Sequence, residues 1–219
     1  MKINNCSFPE DLLYDTENLV WINNKEKTVT IGITTIMASI AGKLSSIKLK
    51  PLGSKLEKGR SCGTLESAKY FGVVRTPVSG TIVQVNKSLM DKPRLANDFP
   101  YTEGWFVKIE SSDIGDLKIL ETIENCHDKM SLAIQKLRVR CFAAFPDHEM
   151  FEIGVECSAT LAKLDELLEQ IPAGEVIHLV SDDPTADIEM LRWSEQKAHH
   201  LLEMRDEGNL FHFIVKKAG

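Results

Sequence analysis

Lys69 stands in the stretch Gly63-Thr64-Leu65-Glu66-Ser67-Ala68-Lys69-Tyr70-Phe71, between two runs of strand-forming residues, and Thr76-Pro77-Val78-Ser79-Gly80 follows. That pattern predicts a lysine at an exposed turn. A solvated ammonium is a poor nucleophile, so chemistry at Lys69 would come from a group attached to it covalently; the alternative is a surface charge. The second group with chemical potential is Cys157, in Gly154-Val155-Glu156-Cys157 ahead of an amphipathic run. A thiol at a helix N-terminus faces unpaired amides and the positive end of the helix dipole, which favours its thiolate. Read otherwise, Cys157 is an inert scaffold cysteine.

The remaining cysteines, Cys6, Cys62, Cys126 and Cys141, show no CxxC spacing. The set predicts free thiols in a reducing compartment, and no zinc or other metal site is signalled. Cys62, one residue before Gly63, reads as a small buried strand residue or as a redox group beside the turn. His127 beside Asp128 reads as solvated, and His199 and His200 as surface or half-buried residues without an acid or metal partner. No constellation of catalytic residues is evident.

The elements that must hold these groups follow from patterning. Residues Leu19 to Ile33 alternate apolar and polar side chains around Asn23-Asn24-Lys25-Glu26, which predicts a β-hairpin. A short helix follows, capped by Thr34 or Thr35, with Ile36, Met37 and Ile40 on its apolar face and Gly42 as its stop. Short strands punctuated by Pro51, Gly53, Gly59 and Gly63 lead to the Lys69 turn and then to Gly80–Val85. Many short strands with frequent glycine predict a small sandwich or flattened barrel.

The chain of 219 residues accommodates two small domains. Residues 1–124 carry 16 Lys+Arg against 15 Asp+Glu, and residues 125–219 carry 10 against 17. Neither half has the basic excess of a sequence-independent nucleic-acid binder. The most apolar stretch, Ile33 to Gly42, is too short to span a bilayer, and the N-terminus has no apolar leader, so a cytoplasmic protein is expected.

Glu66-Ser67-Ala68-Lys69 resembles the lipoylation hairpin of the glycine cleavage H-protein family, in which Glu-Ser-x-Lys carries lipoamide on its lysine. The resemblance covers residues of about 14–124. It includes Thr30-Ile31-Gly32-Ile33-Thr34, Leu56-Glu57-Lys58-Gly59, Pro77-Val78-Ser79-Gly80, Val85-Asn86, Pro93, Asn97, Pro100-Tyr101 and Gly104-Trp105, in register without gaps from Trp21 to Ile109. It implies a lipoyl-type β sandwich over residues 1–124, covalent lipoate on Lys69, and Glu66 and Ser67 as recognition elements for a lipoate-attaching enzyme. Three departures stand out. Leu19 and Val20 replace a His-Glu pair of the family, Gly42-Lys43 replaces Gly-Asp, and Lys48 and Lys50 stand where an acidic and apolar run is usual. This half is near neutral where H-proteins are acidic, which implies a docking surface suited to a different partner from the usual glycine decarboxylase.

Ile114, Leu117 and Leu120 predict a short helix over residues 113–123, beyond which the family pattern ends. Cys126, Met130, Ile134, Leu137 and Cys141 recur at three- and four-residue spacing and predict a helix to about Phe142 within a 125–146 linker. From Asp147 the order becomes strand, helix, strand, helix, strand, strand. The elements are a strand over Phe151–Val155, a helix faced by Leu161, Leu164, Leu167 and Leu168, a strand over Glu175–Val180, and a helix capped by Asp183 with Pro184 at its first position. A closing hairpin turns at Glu207-Gly208-Asn209. This α+β chain therefore ends, over residues 147–219, in a two-layer α/β sandwich of βαβαββ order.

Gly154-Val155-Glu156-Cys157, Gly174-Glu175, Asp182-Asp183-Pro184 and Phe213-Ile214-Val215-Lys216-Lys217 resemble the TusA/SirA-like sulfur-carrier family, in which a cysteine at this position, in Cys-Pro-x-Pro, carries a persulfide. Both prolines are absent here, where the motif is Cys157-Ser158-Ala159-Thr160. The two resemblances together imply a lipoylated carrier subunit, itself no enzyme, handling sulfur or one-carbon units. Its partners would be enzymes of glycine cleavage or sulfur metabolism, with neither nucleic acid nor membrane among them. The alternative is an aminomethyl carrier of glycine cleavage whose C-terminal domain is a docking module.

Overall fold

The computed structural model describes residues 1–25, 28–197 and 199–219, the side chain of Ile114 left aside. The chain separates into two compact units, Met1–Cys141 and Phe142–Gly219.

Unit 1 begins with strands β1 (Lys2–Ile3), β2 (Cys6–Ser7), β3 (Leu13–Asp15), β4 (Val20–Lys25) and β5 (Thr28–Ile33), then helix α1 (Thr35–Ala41). Strands β6 (Leu44–Leu49), β7 (Lys55–Leu56), β8 (Ser61–Ser67), β9 (Phe71–Arg75) and β10 (Gly80–Val85) follow. Short helices α2 (Lys87–Asp91) and α3 (Leu95–Asp98), strand β11 (Trp105–Ser111), a 3-10 turn (Ile114–Ile119), strand β12 (Glu121–Thr122) and helix α4 (His127–Lys136) complete it. One sheet has the order β12-β3-β4-β5-β11-β10-β7 and another the order β6-β8-β9. Their inward residues, among them Ile22, Ile31, Ile47, Leu65, Val74, Ile82 and Ile109, form one shared core, which is the expected sandwich.

The predicted hairpin is β4 paired antiparallel with β5, Val20 opposite Ile33 and Lys25 opposite Thr28; its turn residue Glu26 lies outside the described residues. Alternation on β4 feeds two cores. Val20 and Ile22 point into the sandwich, while Trp21 points to the other side, where its indole Nε1 donates to the Pro100 carbonyl at 2.9 Å. Gly32 is paired with Trp21, and a Cβ there would sit 2.5 Å from the indole, so the ring occupies the space a side chain would take.

That second core holds the N-terminal segment against α4: Ile3, Phe8, Tyr14 and Trp21 meet Ile36, Met130 and Ile134. Here the structure corrects two expectations. Helix α4 stops at Lys136 rather than near Phe142, and Leu137, expected on its apolar face, is exposed. Arg138 adopts a positive φ of 51° and the Val139 amide reaches back to the Ile134 carbonyl at 2.9 Å, a turn that sends the chain back toward the N-terminus. The same turn brings Cys141 onto Cys6, and the two form a disulfide, leaving Cys62, Cys126 and Cys157 as free, buried thiols. Five free cysteines were the expectation; the pairing spans 135 residues and is made by tertiary folding, which local spacing does not encode. The predicted helix near residues 113–123 is the 3-10 turn followed by β12, with Asp113 accepting from the Gly115 amide at 2.7 Å. The apolar role assigned to Ile114 there lies outside what is described.

Unit 2 runs β13 (His148–Glu152), α5 (Cys157–Gln170), β14 (Val176–Ser181), α6 (Ala186–Gln196), β15 (His200–Asp206) and β16 (Phe211–Lys216). Strands order as β13-β14-β16-β15, with β13 parallel to β14 and the rest antiparallel. Leu164, Leu168, Met190 and Trp193 pack on Ile177, Leu179, Phe213 and Val215, giving the two layers expected. The first strand lies three residues earlier than Phe151–Val155, because Asp147 starts the parallel pairing through its amide and its carboxylate, both bonded to Val176, and Gly154 at φ 72° ends it. Helix α6 starts two residues after Pro184, with Asp183 instead binding the Thr185 amide and hydroxyl.

Candidate carrier site

Lys69 is exposed at the tip of the β8–β9 hairpin, where Glu66 pairs with Phe71 and the Ser67 amide donates to the Tyr70 carbonyl at 2.8 Å. The turn is braced at its base. Ser67 Oγ donates to the Ala41 carbonyl at 2.6 Å and accepts from the Lys69 amide at 3.2 Å, so one hydroxyl ties the turn both to itself and to the end of α1. Tyr70 leans on the same helix, its hydroxyl 3.7 Å from Met37 Sδ. Glu66, by contrast, is exposed, with its carbonyl accepting from Ser45 Oγ at 3.2 Å.

The lysine stem runs across Gly42. A Cβ on Gly42 would lie 2.6 Å from Lys69 Cε, and the glycine itself holds φ 71°, ψ −165°, a conformation effectively reserved for glycine. The sequence identified Gly42 only as a helix stop, a role it also fills through its amide bond to the Ala38 carbonyl. Buried Asn97, from α3, fixes this corner: its Nδ2 donates to the Gly42 carbonyl at 2.9 Å and its Oδ1 accepts from the Leu44 amide at 3.0 Å. Thr34 caps α1 by accepting from the Met37 amide at 3.4 Å, as expected. Asn97 and Gly42 therefore position the lysine, and neither could be ranked above a turn residue without the fold. The site suits a covalent group: the amine stands on a braced, protruding turn and its stem lies over a gap that only glycine leaves open.

Cys62 is buried under the hairpin, its Sγ 3.3 Å from the Val74 carbonyl, and burial pushes its thiol up to about 12. That fits the core reading rather than a redox group beside the arm.

In unit 2, Cys157 opens α5 as expected, but its surroundings oppose a thiolate. It is buried, and its amide donates to Asp183 Oδ2 at 2.8 Å, so a carboxylate occupies the place where the helix amides would have served a sulfur anion. Burial first, then Asp183 and Glu189, push the thiol up to about 11. Asp183 stays ionised because the Thr185 side chain, the Thr185 amide and the Cys157 amide all donate to it. One further arrangement escaped the sequence: His178 on β14 and His212 on β16 are buried and stacked, Nε2 to Nδ1 at 2.9 Å, with the Phe142 ring 4.5 Å from His178. Histidines on non-consecutive strands give no periodic signal. His199 stacks on Trp193, and His127 is exposed with Asp128 at 3.0 Å. Among the described residues no cluster of His, Cys, Asp and Glu could hold a metal ion, and no helix is long and apolar enough to cross a membrane.

Comparison with known proteins matches residues 12–132 to the glycine cleavage H-protein family and residues 153–217 to sulfurtransferase TusA. Glycine cleavage system H protein 2 of Aquifex aeolicus is 41% identical over 62% of this chain and 86% of its own length. A probable glycine cleavage system H protein 2 of Sulfurisphaera tokodaii is 37% identical over 64% of this chain and 97% of its own. The crystal structure of a glycine cleavage system H protein from Mycobacterium marinum superposes with a TM-score of 0.52 at 28% identity, covering 56% of this chain and 98% of that one.

Proposed function

Because this chain belongs to the glycine cleavage H-protein family, whose members are carrier subunits rather than catalysts, we propose that Lys69 bears covalent lipoate and presents it as a mobile arm. The observation that carries this reading is the braced turn itself, with Ser67 bound to Ala41 and the Lys69 stem laid over Gly42. When attached, lipoate supplies a disulfide that can be reduced to a dithiol. The protein supplies everything else: Ser67, Gly42 and Asn97 hold the anchor so that the arm moves and the attachment point does not. Glu66 and Ser67 serve as recognition elements for a lipoate-attaching enzyme, Glu66 through its exposed carboxylate and Ser67 through the shape it gives the turn.

The cargo is a sulfur or one-carbon unit. The TusA match favours sulfur, whereas the protonated, buried Cys157 favours the aminomethyl carrier of glycine cleavage with unit 2 as a docking module. Two assays separate them. A persulfide donor should add one sulfur to the reduced protein and none to Cys157→Ser if unit 2 carries sulfur; equal loading of both removes Cys157 from that role. Glycine-dependent decarboxylation restored with a P-type partner assigns the one-carbon role. Incubation of the protein with a lipoate-attaching enzyme and lipoate should add one lipoyl group, lost in Lys69→Ala. Failure to add any would remove both cargo readings.

A further inference from the structure

We infer that the outer face of the β6-β8-β9 sheet, beside Lys69, is the docking surface for the enzyme that loads the lysine, and that this enzyme presents an acidic rim. The inference rests on the reading of Lys69 as the attachment point and adds to it the charge of the partner.

The register settles which residues share this face. Ile47, Leu65 and Val74 point into the sandwich, so Lys48, Thr64 and Val73 form one outward row and Ser46, Glu66 and Phe71 the next. Lys50 and Arg75 extend the face beyond the row of Lys48 and are exposed. Phe71 is 70% exposed and Val73 41%, side by side on β9, which is the edge strand of its sheet. Phe71 is two residues from Lys69 in the chain and pairs with Glu66 at the root of the same turn, so the exposed ring stands on the hairpin that carries the amine.

Charge on this segment departs sharply from the rest of the molecule. Residues 43–75 hold eight Lys and Arg against two Glu, while the whole chain has a net charge of −6. Of these eight, Lys43 precedes β6, Lys55 lies on β7 in the other sheet, Lys58 and Arg60 pair with Asp116 and Glu57 and Lys69 is the anchor itself, so Lys48, Lys50 and Arg75 set the potential of the face. Lys48 stands two strands, about 10 Å, from Val73 in its row and Arg75 about 7 Å from Val73 along β9, within or near a Debye length of about 8–10 Å, with Lys50 one row farther out. A large apolar side chain beside a cationic border fits a protein partner with an apolar pocket and acidic margin. An exposed aromatic beside cations also suits base stacking, but the exposed Glu66 carboxylate in the same row as Phe71 would repel a phosphate backbone, and with the aliphatic Val73 beside it the row fits protein better.

The test uses the full chain and two lipoate–protein ligases, one with an Asp/Glu-rich substrate rim and one with a Lys/Arg-rich rim. Wild type should be loaded about tenfold more efficiently in kcat/KM by the acidic-rimmed ligase, with the advantage shrinking as salt rises. Lys48→Glu/Lys50→Glu/Arg75→Glu should reverse that order. Phe71→Ser should lower kcat/KM with the acidic-rimmed ligase while leaving kcat nearly unchanged. Because Arg75 also donates to the Gly59 carbonyl at 2.9 Å, Lys48→Glu/Lys50→Glu serves as a variant that keeps this bond and should show the same reversal at smaller amplitude. The same order of ligases for wild type and variants overturns the proposal while leaving Lys69 as the anchor; no loading of wild type by either ligase overturns the anchor itself. Single-stranded oligonucleotide binding abolished by the triple reversal, with loading efficiencies unmoved, would assign the face to nucleic acid and likewise overturn it.

Discussion

Gly42→Ala probes the junction between α1 and β6, across which the Lys69 stem lies. Gly42 holds φ 71° and ψ −165°, and placing a Cβ-bearing residue in that region costs about 1–3 kcal/mol. A second effect is steric: the new Cβ would meet Lys69 Cε at 2.6 Å, but Cε belongs to a flexible, exposed stem that can swing aside. The backbone term therefore dominates stability, and the steric term falls on where the amine points. We expect a loss of about 2 kcal/mol, which for a domain of this size lowers the melting temperature by roughly 4–8 °C. Urea unfolding followed by tryptophan fluorescence in a Trp193→Phe background, where Trp21 and Trp105 report on unit 1 alone, measures the loss. Gly42→Ala/Lys69→Ala should be destabilised by nearly the same amount as Gly42→Ala, since removing the stem relieves only the smaller term. A stability change below about 0.5 kcal/mol for Gly42→Ala would refute the assignment of a glycine-only backbone here. Full recovery in the double variant would show that the clash, not the backbone, was the cost.

Reduction of the Cys6–Cys141 bridge, or Cys6→Ser, should destabilise unit 1 by about 2–5 kcal/mol, because the crosslink closes a long loop in the unfolded chain; unchanged stability under reductant would contradict a formed bridge. Alkylation of unfolded, unreduced protein should label the three free cysteines and leave Cys6 and Cys141 unmodified. With its thiol pushed up to about 11, Cys157 should be alkylated slowly at neutral pH and faster as pH rises through that range, and Asp183→Asn, which removes a raising charge, should speed the reaction at pH 8. A Cys157 that reacts at pH 7 as fast as an unburied thiol would sink that description. Asn97→Ala should cost about 1–3 kcal/mol by leaving the buried Gly42 carbonyl and Leu44 amide unsatisfied, and it should slow loading of Lys69 by freeing the corner beneath the arm.

The hairpin, its neighbours and the order of unit 2 were legible because they rest on local rules. Alternation marked β4 and β5, Thr34 and Gly42 bounded α1, and three- and four-residue spacing marked α5. What was not legible depends on contacts distant in sequence. Cys6 and Cys141 meet only after the chain turns at Arg138, and nothing within a few residues of either announces the other. The end of α4 was overestimated because Leu137 and Cys141 continue a helical spacing although the positive φ at Arg138 breaks the helix. At the site, Lys69 could be named from its motif, but the support from Asn97 is carried by α3, far along the chain. The thiolate argument for Cys157 used the helix end alone; Asp183, contributed by the loop after β14, takes the Cys157 amide and reverses the electrostatics.

Peptide-level mass spectrometry of the full chain, after co-expression with a lipoate-attaching enzyme, tests the central claim most directly. One lipoyl addition, found on the peptide containing Lys69 and on no other lysine, is the predicted result. An unmodified Lys69, or a lipoyl group on a different lysine, would contradict it.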